Sequence, residues 1–179
     1  MIGATLGFLV WNYPFGHVFL GDGGAYLLGF MLAELAILLV MRNPQISAWY
    51  PALLFSYPIV ETTFSIYRKR CLRGMPPSQP DGVHLHMLVY KRVIRWAVGS
   101  HNADQLLHRN AATSPYLWAL TLLAAVPATL AWNNEKLLAA CLAIFVAIYL
   151  WLYFAIVRFR TPRWMILRER RKPSTSRTR

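Results

Sequence analysis

The chain has 179 residues, 56% of them hydrophobic, with a mean hydropathy of +0.36 and a formal net charge of +12. Ordinary soluble domains hold roughly 45–50% apolar residues, so this composition excludes that class and points to a membrane protein. The basic residues fall in blocks between apolar runs, so the charge reads as membrane topology and not as a nucleic-acid-binding surface.

The first run, Met1 to Trp11, is apolar from its first residue but about half the roughly 20 residues that cross a bilayer core. It reads as the end of a helix whose beginning is missing. No basic n-region or small-residue cleavage site accompanies it, so it does not read as a signal peptide.

Next comes a loop, "NYPFGHVFLGDGG", from Asn12 to Gly24. Asp22 precedes two glycines and a helical run, where it can cap the helix. The exposed N–H groups and helix dipole there favour phosphate. A carboxylate beside such a site can hold Mg²⁺, which prefers ligands shared with substrate phosphates. The same residues also suit a plain capped turn, and the lysine of a P-loop is absent.

Apolar spans are expected at 24–41 and 47–67. Glu34 lies near the middle of the first and is expected to be buried and hydrogen-bonded or protonated. Glu61 lies two helical turns, about 10 Å, from the basic end of the second, where an ionisable residue faces protein or water and becomes a functional candidate.

The loop 68–114 follows, rich in Pro and Gly at first, with His84 and His86 at i, i+2. That spacing suits an extended segment. Together with Asp81, Lys91 and Arg92 the histidines can bind a diphosphate through charge-assisted hydrogen bonds, and they also suit solvated loop positions. Spans at 115–132 and 137–157 complete the apolar runs, and residues 158–179 form a basic tail that suits an anionic lipid surface. Cys71 and Cys141 lack metal-type or disulfide-type spacing.

The loop 68–114 carries eight Lys or Arg and the tail nine, whereas the two short loops on the other side hold Arg42 and Lys136. Because basic residues collect in cytoplasmic loops, the Asn12 loop, the 68–114 loop and the tail are expected to be cytoplasmic. The expected fold is an all-α, polytopic membrane helix bundle with about four full transmembrane helices plus a truncated N-terminal one. Residues 1–157 form the domain.

Taken together, "NYPFGHVFLGDGGAYLLG" and "PIVETTFSIYRKRCLRGMPPSQPDGVHLH" resemble the polyprenyl-phosphate N-acetylhexosamine-1-phosphate transferases, glycosyltransferase family 4, in their C-terminal half. The order of Asn, F-L-G-D, R-G-M-x-P and P-D-x-x-H-x-H carries the likeness, nearest to the GlcNAc-type branch. It implies a bacterial inner-membrane enzyme that transfers a sugar 1-phosphate, GlcNAc-1-phosphate here, from a UDP-N-acetylhexosamine to undecaprenyl phosphate. UMP is released, and the reaction begins a cell-envelope polysaccharide such as the lipopolysaccharide O-antigen.

The resemblance further implies Mg²⁺, for which Mn²⁺ can stand in, with Asp22 as metal ligand. Asp22, His84 and His86 are the catalytic candidates, and Asn12, Phe19, Asp81 and Arg73 the substrate-binding ones. The sequence departs from the family pattern at Met87, where several members have a third histidine, at Glu61, commonly aspartate, and at Gly24–Ala25, where Gly-Ser is common. It also has no adjacent aspartate pair, whereas family members are longer and carry one on an earlier loop. The chain is therefore expected to be inactive alone, completed by an N-terminal half or a second copy. The competing expectation is a non-catalytic membrane protein, a transporter half or scaffold with Asp22 and Glu61 on a translocation path.

Overall fold

The computed structural model describes residues 1–72, 74, 76, 83–94 and 103–158, without the side chains of 93, 94 and 103–110. Among them the chain is all-helical, with no strand. Helix α1 runs Ile2–Asn12 and α2 Gly21–Arg42; α3 is Trp49–Leu54 and α4 Ser56–Tyr67, which continues as a π-helical turn, Arg68–Leu72. Helix α5, Leu85–Leu88, also runs on into a π-helical turn, Val89–Ile94. Helices α6, Ala103–Leu130, and α7, Glu135–Arg158, follow.

The expected continuous span 47–67 is instead two helices meeting at Phe55, whose φ of −97° and ψ of 18° leave the helical region. Proline explains the break. Without an N–H, proline is tolerated in a helix's first turn, and Pro51 and Pro58 each lie at the third residue of their own helix. Asn134 caps α7, its Oδ1 accepting the Leu137 N–H at 3.1 Å, and Glu135 in the first turn complements the dipole.

Helix α6 corrects another expectation, because it begins well before the apolar run at Pro115 and passes through that proline and Pro127. At each, the carbonyl four residues earlier loses its N–H partner. For Pro115 that carbonyl belongs to Ala111.

The core lies among α3, α5, α6 and α7, around Leu53, Leu85, Leu88, Phe145 and Tyr149. Ala124 and Ala128 are buried along α6 and Ala131 just past its end, where small side chains let helix backbones approach closely. The Ser47 N–H donates to the Trp132 carbonyl at 3.1 Å, tying the start of α3 to the α6–α7 turn. By contrast, no residue of α1 or α2 is buried. Glu34 is exposed on α2, which corrects the expectation that it is buried: among the described residues none buries any part of that helix.

Candidate active site

The candidate residues gather at the bundle end opposite the Ser47–Trp132 contact. There the chain leaves α1 through a tight turn in which the Gly16 N–H donates to the Asn12 carbonyl at 2.6 Å and Gly16 takes a φ of 66°. Positive φ is open to glycine because it lacks a Cβ. The turn packs on α6, with the Tyr13 and Trp118 ring centroids 5.0 Å apart. Asn12 through Gly16, Ala111 and Ser114 line a cavity of about 100 Å³, so the residue whose carbonyl loses its partner to Pro115 borders it.

Phe19 is highly exposed and is not among the residues lining that cavity. Asp22 lies within the first turn of α2 and makes no side-chain cap; Leu20 holds the cap position. The expected capping role is thereby corrected, since the helix starts at Gly21, before the aspartate. Asp22 is exposed, and its charge complements the helix N-terminus. A hard carboxylate oxygen suits Mg²⁺. Among the described residues, however, no group of three or more His, Cys, Asp or Glu could hold a metal ion, so Asp22 fits as one ligand of a larger set.

Around Glu61 the structure is more complete. This buried carboxylate receives the Tyr149 O–H at 2.9 Å and the Leu85 N–H at 3.3 Å to each oxygen, and its Oε1 lies 2.9 Å from His84 Nδ1. His84 has extended backbone, φ −66° and ψ 152°, and caps α5. His86 sits inside that short helix, which revises the expected wholly extended placement. The two imidazoles stack with centroids 5.8 Å apart and planes 11° from parallel.

A second polar group holds the segment before His84. Arg68, buried at the end of α4, donates through one amino group to the Val83 carbonyl at 3.1 Å and the Tyr153 hydroxyl at 2.8 Å. Its guanidinium also lies over the Phe64 and Tyr153 rings, at 5.8 and 5.4 Å. Arg92 donates to the Ile156 and Val157 carbonyls, a cation closing the C-terminus of α7.

Sequence reasoning missed Arg68, Tyr149 and Tyr153 as the supports of the histidines. A signal existed in the two tyrosines, four residues apart on one face of an apolar helix, since buried hydroxyls there require partners. The structure brings His84 and His86 together and adds Glu61. It does not join Asp22 to them in a ligand cluster, and Arg73 and Asp81 lie outside the described residues.

Desolvation lowers the His86 pKa below the ordinary 6.5; Glu61 opposes this and His84 adds to it. Below pH 6.5 an unfolded histidine therefore gains a proton that His86 in place resists, so the unfolded segment binds more protons and stability falls as pH drops. Hydrogen exchange at the Leu88 and Val89 amides, corrected for intrinsic rate, is expected to show more frequent opening below that pH. His86→Gln should remove part of the trend.

Three helical segments, Gly21–Arg42, Ala111–Leu130 and Glu135–Arg158, are long and apolar enough to cross a membrane. With polar and ionisable groups collected at one end, they define a polytopic helical membrane protein. The family model for glycosyl transferase family 4 matches residues 1–40.

Curated relatives agree with that match. A probable undecaprenyl-phosphate N-acetylglucosaminyl 1-phosphate transferase of Bacillus subtilis is 37% identical over 48% of this chain and 24% of its own length. An undecaprenyl-phosphate alpha-N-acetylglucosaminyl 1-phosphate transferase of Haemophilus influenzae is 29% identical over 94% of the chain and 44% of its own length. A decaprenyl-phosphate N-acetylglucosaminephosphotransferase of Mycolicibacterium smegmatis is 30% identical over 66% and 29% respectively. Residues 1–40 thus match glycosyl transferase family 4, and the chain is similar to these transferases. It spans less than half the length of these relatives, and no solved structure matches it.

Proposed function

We propose that this chain forms part of a membrane transferase that moves N-acetylglucosamine 1-phosphate from its UDP derivative to undecaprenyl phosphate and releases UMP. The observation that carries the reading is the anchored, stacked His84–His86 pair at the same bundle end as the Asn12 turn. An oxygen of the lipid phosphate attacks the sugar-bearing phosphorus, and the bond to UMP breaks. Three anions must meet, so the residues' task is to offset charge and hold position.

His86 donates a hydrogen bond to the diphosphate and His84 meets the substrate through Nε2, while Asn12 and Phe19 border the nucleotide and Arg73 and Asp81 add further substrate contacts. Asp22 is one ligand of a Mg²⁺ ion, which would stabilise negative charge on the phosphate oxygens. The site faces the cytoplasm of a bacterial inner membrane, where the basic blocks belong.

The test joins this chain to the portion of the Haemophilus influenzae relative that it does not match, and supplies UDP-GlcNAc, undecaprenyl phosphate and Mg²⁺. UMP and lipid-linked sugar phosphate are expected from the joined protein and not from the 179-residue chain alone. A correctly inserted joined protein that releases no UMP from UDP-GlcNAc or UDP-GalNAc would sink the reading.

A further inference from the structure

Glu61 lies on α4, Tyr149 on α7, and His84 and Leu85 at the start of α5, so one carboxylate joins three parts of the chain. Tyr149 O–H and Leu85 N–H are donors, and a carboxylate accepts only. For the 2.9 Å contact to Oε1 to be a hydrogen bond, His84 Nδ1 carries the proton.

We propose that Glu61 is a positioning residue, whose carboxylate holds His84 in the Nδ1–H form and leaves Nε2 as the nitrogen that meets substrate. Two further contacts support a fixed ring. His86 stacks beside it, and the Val83 carbonyl just before it is gripped by Arg68 and by the Tyr153 hydroxyl at 3.3 Å. The side chain of His84 is 27% exposed and that of Glu61 11%, so the imidazole has an open side and its anchor is covered. Orientation by a buried carboxylate serves catalysis because the wrong tautomer presents a hydrogen where a lone pair is needed, or the reverse.

The role toward substrate rests on the transferase reading; the tautomer does not. A plain structural alternative has Glu61 merely closing the N-terminus of α5 through Leu85, with His84 free to choose its tautomer.

The first measurement is nitrogen NMR of the 179-residue chain in detergent micelles, labelled at histidine, with the His84 signal assigned by its loss in His84→Gln. The expected wild-type spectrum has a protonated Nδ1 and an unprotonated Nε2 in neutral His84. In Glu61→Gln, the amide oxygen serves Tyr149 and Leu85 while the amide NH₂ turns toward Nδ1, so the Nε2–H form is expected to take over. Tyr149→Phe leaves the Glu61 carboxylate in place and is expected to keep the wild-type form, which guards against a variant that simply fails to fold.

In the joined transferase, Glu61→Gln is expected to lower kcat by about 100-fold with little change in KM for the UDP-sugar. Wild-type His84 found as Nε2–H or as a mixture overturns the proposal. So does a folded Glu61→Gln chain that retains Nδ1–H, or a shifted tautomer with undiminished kcat. If the tautomer follows Glu61 but the joined wild-type protein releases no UMP, the transferase reading falls and the anchoring of His84 stands.

Discussion

Asp22→Asn in the joined transferase is expected to cut Mg²⁺-dependent UMP release by on the order of 10³-fold, about 4 kcal/mol in the barrier. The prediction is large because the structural cost is small. Asp22 makes no capping bond, is exposed, and lies in the first turn of a helix with no buried residue. Losing its charge there removes a dipole interaction worth about 0.3–1 kcal/mol. Any greater loss belongs to chemistry. The check is a Mg²⁺ titration of UMP release beside a measurement of membrane insertion, with insertion unchanged. Turnover within about threefold of wild type, near the size of the dipole effect alone, removes Asp22 from the metal site.

The second large effect concerns stability. Arg68→Met is expected to destabilise the chain by about 2–3 kcal/mol, read as a lower midpoint of thermal unfolding in detergent. Methionine keeps an unbranched apolar stem but lacks the guanidinium that lies over Phe64, and the Val83 carbonyl and Tyr153 hydroxyl lose a charged donor in a buried place. The bond from Tyr153 to Val83 survives and limits the damage. Arg70, two residues on, is exposed, and Arg70→Met should cost about 0.5 kcal/mol or less. Equal losses at both positions would show that Arg68 is no special support.

That contrast marks where the sequence stops being legible. Charge counting places Arg68 and Arg70 together in one basic block, and nothing local separates them. Their difference depends on Tyr153, 85 residues away from Arg68 along the chain. Glu61 is similar: its depth in an apolar run singles it out, but Tyr149, 88 residues distant, makes it an anchor.

Long apolar stretches were readable because bilayer thickness selects their length, as in α2 and α7. The polar opening of α6, "ADQLLHRNAATS", was not, because it has no apolar run and ends at a proline that reads as a boundary. The break at Phe55 was written in Pro58, yet a hydropathy window averages across a single residue. The order of Asn12, Asp22 and the two histidines was readable as a family pattern. The stacking of the histidines was not, since it depends on where α5 starts.

The absence of buried residues in α1 and α2 has a mechanical consequence. Helices α3, α5, α6 and α7 share a packed core. Helix α2, 22 residues and about 33 Å long, is long enough to cross a bilayer core. A thinner bilayer tilts such a helix, while a packed bundle resists. Asp22 lies at the start of α2 and the histidines on the bundle, so acyl-chain length is expected to alter the gap between them.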